Sequence, residues 1–322
     1  MHPRKGRGSL PPLSATAAIT ISPWLRMEFS LFLQYLFAGI TYGIIYAIVA
    51  IGFNIIYNTT GIINFAQGEF LMLGGMISIS LLQVMPLPLA IAAAVAITMV
   101  VGALIQMVFI RWIENPSVLR MVIITIGISI LIREAALHIW GESVRTLPYF
   151  IGSSVTAVTL FGTRISPQVL IVIGTCSIMV LFLSIFFRYT SLGREMRACA
   201  ANRRAATLCG INVKNMVTFS FMLSAGIGAL AGAVMSPITY SQYDNGTGLA
   251  IKGFTVAILG GLGNSLAAVA AGLFLGIIEA FSITILPLAF QDAVAIAILL
   301  LILFIRPHGL FGSSEAARLK EF

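Results

Sequence analysis

Charge is scarce in this sequence, and the shortage identifies its solvent. Asp, Glu, Lys and Arg make up 9% of the 322 residues, against roughly 25% in a soluble domain. Cysteine is confined to Cys176, Cys199 and Cys209, and histidine to His2, His138 and His308. These form neither a disulfide framework nor a pair with zinc-site spacing, so no disulfide and no metal are expected. The lysines are Lys5, Lys214, Lys252 and Lys320. None follows a G-x-x-x-x-G-K-[ST] phosphate loop, so the chain by itself is not a P-loop ATPase. H-E-x-x-H and G-x-S-x-G are also absent, and no polar stretch is long enough for a catalytic domain. The expectation is a non-enzyme that binds no cofactor of its own.

What the sequence has in abundance is apolar surface: 59% of residues are hydrophobic and mean hydropathy is +1.01. Long apolar runs recur from Leu31 to Ile305, each near the roughly 20 residues that cross a bilayer. Membrane-spanning backbone must be helical or form a closed barrel. Barrel strands alternate apolar with polar residues, whereas stretches such as 91–110 are apolar on every side, so helices are expected. The candidate spans are 31–57, 62–84, 87–113, 118–140, 169–187, 216–240, 251–262, 265–281 and 289–305. The 251–262 segment reaches only about 18 Å as a helix, short of the roughly 30 Å hydrocarbon core. It reads as a half-helix or a short, protein-buried span.

The net charge of +8 and pI near 9.8 come from Lys and Arg spread between spans, the pattern of basic cytoplasmic loops rather than of a nucleic-acid patch. Residues 188–214 carry Arg188, Arg194, Arg197, Arg203, Arg204 and Lys214 against one acid, Glu195, which places this loop in the cytoplasm. Counting backward puts Met27 outside and the 141–167 connection outside; counting forward puts Arg306, Arg318 and Lys320 inside if the short 251–262 segment crosses. Residues 1–26 disagree, since Arg4, Lys5, Arg7 and Arg26 would lie outside. Their Pro, Ser, Gly and Arg content resembles an unstructured or non-native leader, with a natural start expected at Met27. The expected organisation is therefore a leader over 1–26, a transmembrane domain over 27–311 with the cytoplasmic loop 188–214, and a cytoplasmic tail over 312–322.

Three interruptions of the apolar pattern could carry chemistry. The first runs from Asn58 to Glu69 and holds Asn64, Phe65, Gln67, Glu69 and two glycines. Such a cluster at membrane depth must face protein, water or ligand; it is either a hydrated cytoplasmic hairpin or a broken helix that lines a transport path or gate. The second runs from Arg194 to Cys209, a single helix stopped by Gly210. Ala198, Ala201, Ala205 and Leu208 form a shallow apolar stripe between Arg194, Arg197 and Arg204. That face suits docking into a groove on another protein, or lying on anionic headgroups. The third is the glycine cluster Gly260, Gly261 and Gly263, which fits either close helix packing or a break.

These stretches, in this order, resemble the permease subunits of bacterial branched-chain amino-acid ABC importers. The likeness runs from about Met27 to Phe311. It includes Gly39-Ile-Thr-Tyr-Gly43, the Gly61 to Glu69 turn, the Gly193 to Gly210 loop, Gly260-Gly-Leu-Gly263 and the closing Arg306-Pro-His-Gly-Leu310. The resemblance implies an all-α polytopic fold of the type II ABC-importer kind, with about eight to nine transmembrane helices, in a bacterial inner membrane. It implies a second permease, same or related, two cytoplasmic ATPase subunits that use ATP and Mg, and an extracytoplasmic binding protein that delivers the substrate. It makes Gly193, Arg194, Arg197, Ala198, Ala201, Arg204, Ala205, Leu208 and Gly210 a coupling helix, and Asn64, Phe65, Gln67 and Glu69, with Gly260, Gly261 and Gly263, candidates for the path or gate. The family usually has His where this chain has Gln67, which leaves Glu69 the only ionisable group of the turn. Substrate remains open between aliphatic amino acids, urea and short amides. The rival class is an ion- or proton-coupled secondary carrier built on Glu69, Glu279 and Asp292; a passive channel lacks an evident ring of polar residues.

Overall fold

Backbone in hydrocarbon must satisfy its own N–H and C=O groups, and the apolar runs accordingly fold as helices. The computed structural model describes residues 23–113, 117–152, 156–160, 163–287, 290–306 and 309–310. Within them lie α1 (Pro23–Thr60), α2 (Gln67–Leu81), α3 (Leu87–Ile105), α4 (Val118–Trp140), α5 (Pro167–Tyr189), α6 (Ser191–Ala201), α7 (Arg203–Leu208), α8 (Val213–Thr239), α9 (Asn245–Gly260), α10 (Ser265–Ser282) and α11 (Gln291–Ile305). A π-helical turn, Gln106–Ile110, extends α3, and a two-stranded hairpin pairs β1 (Val158–Leu160) with β2 (Thr163–Ile165). Among the described residues six helices are long and apolar enough to cross a membrane, and α11 is a shorter apolar helix. The protein is a polytopic helical membrane protein.

α1 is the central post. From Ile45 to Ile56 its side chains are buried on every side, and α8, α9 and α10 pack around it. Its contact with α10 is made by glycines at four-residue spacing on both helices, Gly39 and Gly43 against Gly272 and Gly276. A Cβ on Gly43 would lie 2.7 Å from the Gly272 carbonyl oxygen, and one on Gly39 would lie 2.8 Å from Ile277 Cα. Between membrane helices, where lipid is as apolar as leucine, such backbone proximity is what earns van der Waals attraction.

The sequence expectation of a second span over 62–84 differs from the structure, in which α2 begins at Gln67. Gly61, at φ +67, ends α1 through its N–H to the Tyr57 carbonyl (2.7 Å), and Asn64 turns the chain by accepting the Ala66 N–H (3.2 Å). With 15 residues, α2 is about 22 Å long. It is buried from Gln67 to Ser78, so the backbone at its N-terminal end meets protein rather than lipid.

α9 also differs from the expected 251–262. It starts at Asn245 and spans 16 residues, about 24 Å. Its first residues, Asn-Gly-Thr-Gly, have no apolar signature. Gly246 lies buried against the Gly68 backbone of α2, Asn245 and Thr247 are half-buried, and Gly248 is exposed. The expected last span, 289–305, is observed from Gln291. α3, α4, α5 and α11 form the periphery, where Leu104, Ile123, Phe182 and Phe304 are exposed as lipid contact requires. The expected leader falls outside the described residues over 1–22, and the expected tail over 312–322 also lies outside them.

Candidate functional site

The C-terminal end of α1 is where the three interruptions meet. Asn54 Oδ1 accepts the Gly263 N–H (3.0 Å) and Asn58 Nδ2 donates to the Gly263 carbonyl (3.0 Å). Two amides of α1 thus hold the α9–α10 turn through both backbone groups of one residue. The turn itself needs glycine at Gly261 (φ +87) and Gly263 (φ +95), since side chains rarely adopt that conformation. Gly260 serves packing instead: a Cβ there would lie 2.8 Å from the Ala268 amide nitrogen.

On the other side of the same helix end sits the basic loop 188–214. The expected single helix from Arg194 to Cys209 is two helices. The chain bends at Asn202 (φ −157, ψ 111), whose side chain accepts the Ala205 N–H (3.0 Å) and caps α7. Asn favours caps over helix interiors for this reason. Just after the bend, the Arg203 guanidinium donates through Nε (2.8 Å) and Nη2 to the Thr59 carbonyl, filling an acceptor left over at the end of α1. Burial pushes Arg203 below its ordinary pKa, yet a guanidinium stays protonated in proteins.

The two short helices have distinct faces. Gly193, Met196, Cys199 and Ala206 are buried. Gly193 rests on the end of α5, where its N–H meets Thr190 Oγ1 (3.0 Å) and a Cβ would lie 2.7 Å from Phe187 Cα. Burial raises the Cys199 thiol, which keeps it in the unreactive form. Arg194, Arg197, Ala201, Arg204, Ala205, Leu208 and Gly210 are exposed, and Ala198 is half-buried. Leu208 is 89% exposed, so the outer face combines arginines with small apolar residues. A cleft of about 500 Å³ separates α6 from the helix ends, lined by Asn58, Phe187, Arg188, Arg197 and Asn264 among others.

From Thr59 the polar turn leads straight into the protein. Asn64 is fully buried, with Nδ2 unpartnered. Phe65 closes an aromatic triangle with Phe53 of α1 (6.4 Å between centroids) and Phe254 of α9 (5.3 Å). Gln67 Nε2 donates to the Ser224 carbonyl (3.3 Å), while the Ser224 hydroxyl lies 2.6 Å from Gln67 Oε1 and 2.9 Å from the Gly52 carbonyl. The amide occupies space a side chain on Gly52 would need, so Gln67 ties α1, α2 and α8 together.

Glu69 is 1% exposed, which removes the hydrated-hairpin alternative. Its Oε1 accepts from Ser129 of α4 (2.8 Å) and Thr247 of α9 (3.3 Å), and Arg133 of α4 donates to the same threonine (3.0 Å). Oε2 is buried without a partner. Replacing Glu69 by Gln keeps an oxygen for Ser129 and Thr247 but trades charge-assisted bonds for neutral ones, a difference of about 1 kcal/mol. We expect a folded protein of slightly lowered thermal stability in detergent; unchanged stability would mean that these two bonds do not hold α2 to α4 and α9.

The two remaining acids share one cation. Lys252 of α9 lies 2.5 Å from Glu279 of α10 and 3.0 Å from Asp292 of α11, with the Tyr46 hydroxyl at 3.4 Å. Sequence reasoning singled out the acids and missed Lys252, Arg133, Asn54 and the clamp made by Arg203. The available signal for the first two was position alone, since an ionisable residue inside a span needs a partner.

The chain matches, over residues 35–303, the family described as the branched-chain amino acid transport system permease component. Among curated relatives, it is 33% identical over 309 residues to the high-affinity branched-chain amino acid transport system permease protein LivH of Salmonella typhimurium, covering 90% of this chain and 99% of the relative. It is 34% identical to LivH of Escherichia coli K12 with the same coverage. Against BraD of Pseudomonas aeruginosa, which carries the same description, it is 34% identical over 301 residues, covering 89% of this chain and 98% of the relative.

Proposed function

Because this chain belongs to the permease-component family of branched-chain amino-acid transport systems, we propose that it is the membrane-spanning permease subunit of an ATP-driven importer of branched-chain or similar small amino acids. It works in a bacterial inner membrane beside a second permease, of the same or a related chain. An extracytoplasmic binding protein delivers the substrate, and two cytoplasmic ATPase subunits hold ATP and Mg. Counting α2, α9 and α11 as protein-buried or short crossings gives nine spans, in keeping with a type II importer fold over residues 27–311.

The observation that carries this mechanism is the clamp from Arg203 to the Thr59 carbonyl. The outer face of α6 and α7, with Arg194, Arg197, Ala201, Arg204, Ala205 and Leu208, docks on the ATPases as the coupling element within loop 188–214. Movement of that element pulls through Arg203 on the end of α1, and the same end holds the Gly260–Gly263 turn through Asn54 and Asn58. The polar turn that follows Thr59 passes the displacement to Gln67 and Glu69 at the start of α2. A rigid-body rocking of packed helices then switches access, biased by whichever state the ATP-bound motor prefers.

Arg203→Ala tests this route. The docking face is left intact, so the ATPases still co-purify, while two charge-assisted bonds worth about 1.5–3 kcal/mol are lost. Uptake per ATP hydrolysed is expected to fall about tenfold or more. Normal coupling in this variant would break the proposed chain of transmission. The secondary-carrier alternative is disfavoured by the family match and by the pairing of buried Glu279 with Lys252.

A further inference from the structure

A cavity of about 200 Å³ lies between α2, α8, α9 and α11, away from the coupling end of α1. Leu71 and Met235 give it an apolar wall, Gln242 and Asn245 a polar rim, and Lys252 and Asp292 a charged end. We propose that this cavity is a subsite for one small α-amino acid, in which Lys252 receives the carboxylate by displacing Asp292. The assignment rests on the importer reading and adds to it the residues that recognise the substrate.

The two anions on Lys252 are unequal. Glu279 is 1% exposed and 2.5 Å from the ammonium; breaking that pair would strand a buried charge. The Asp292 side chain is 76% exposed and 3.0 Å away, and a hydrated ion pair of that kind contributes little. Lys252 is thus a cation held inside the protein by one fixed partner, with a second bond that a competing carboxylate can take. The Lys252 side chain is itself 13% exposed, within reach of the cavity.

The rim offers the complementary charge acceptors. Gln242 Nε2 donates to the Glu142 carbonyl and Asn245 Nδ2 to the Tyr240 carbonyl, both at 3.4 Å. An amide oxygen on either residue is chemically able to accept from an ammonium. The apolar wall then meets an aliphatic side chain. The volume is below the roughly 300–1,000 Å³ of pockets for larger ligands, which excludes a peptide.

Calorimetric titration of the detergent-purified permease core separates these contributions with three ligands: leucine, 4-methylpentanoate, which lacks the ammonium, and 3-methylbutylamine, which lacks the carboxylate. Wild type is expected to bind leucine, to bind 4-methylpentanoate more weakly and not to bind the amine. Asp292→Asn removes the competitor and should tighten leucine binding about three- to fivefold. The charge-balanced double variant Lys252→Met with Glu279→Gln should bind neither carboxylate; if it fails to fold, Asp292→Asn still decides. An absence of leucine binding in wild type, or Asp292→Asn that leaves or weakens it, overturns the subsite. ATP-driven uptake by the wild-type complex is scored separately. Uptake with the wrong binding pattern sinks the subsite alone, and the right binding pattern without ATP-driven uptake sinks the importer reading alone.

Discussion

Ala201→Glu is expected to strip the ATPase subunits from the purified permease while leaving its folding and membrane insertion intact. Ala201 is the last residue of α6 and is exposed, so a larger side chain meets no neighbour within the chain. In the docked complex the same side chain is desolvated. Truncating or mispairing a buried interfacial charge costs about 2–5 kcal/mol, and 3 kcal/mol is on the order of a hundredfold in affinity. In the proposed docking, Arg194, Arg197 and Arg204 face the ATPase as well, and a new carboxylate among them competes with the contacts they make there. Pull-down in mild detergent measures the loss directly. Undiminished association together with normal uptake would remove the docking role from this face.

A second large effect is expected at the α1–α10 contact. Gly276→Leu places a side chain where Gly43 and Gly39 already sit: its first carbon alone would collide with the Gly43 amide nitrogen and Cα and the Gly39 carbonyl oxygen. These are backbone atoms of the central helix and have no rotamer into which to retreat. Overpacking of a close-packed contact costs about 1–3 kcal/mol and more where backbone must move; the upper end is expected here. Gly127→Leu on α4 is the matched control, because nothing lies within 4 Å of a Cβ at that position. Thermal aggregation in detergent should show a large loss for Gly276→Leu and a small change for Gly127→Leu. Equal losses would mean that the glycine contact does not set the α1–α10 packing.

The long peripheral helices were legible because lipid demands apolar residues on every face, and α4 is observed with the bounds expected from that rule. The short ones were less so. α2 begins with Gln-Gly-Glu, all buried, and α9 with Asn-Gly-Thr, of which Gly246 is buried and its two neighbours half-buried; against protein, hydropathy carries no signal. The break at Asn202 was hidden for a different reason: five alanines between Arg194 and Cys209 read as uninterrupted helix, whereas one asparagine cap and the pull of Arg203 on Thr59 bend the chain. At the site, the polar turn and the glycine cluster stood out because polar and flexible residues are costly in a span. Their connection did not. Asn54 and Asn58 lie 209 and 205 residues from the Gly263 they hold, and no local pattern announces such a pair. Glu279 and Asp292 attracted notice as acids, but only the fold brings Lys252 between them and turns apparent ion sites into a paired cluster.

The most direct test of the central claim is leucine accumulation by proteoliposomes. Vesicles holding the permease with its second permease and ATPases, supplied with Mg-ATP on the cytoplasmic side and loaded binding protein on the other, are predicted to accumulate leucine. Withholding ATP is predicted to abolish accumulation whatever proton or sodium gradient is imposed. Accumulation by this chain alone on such a gradient, without ATP, would contradict the account.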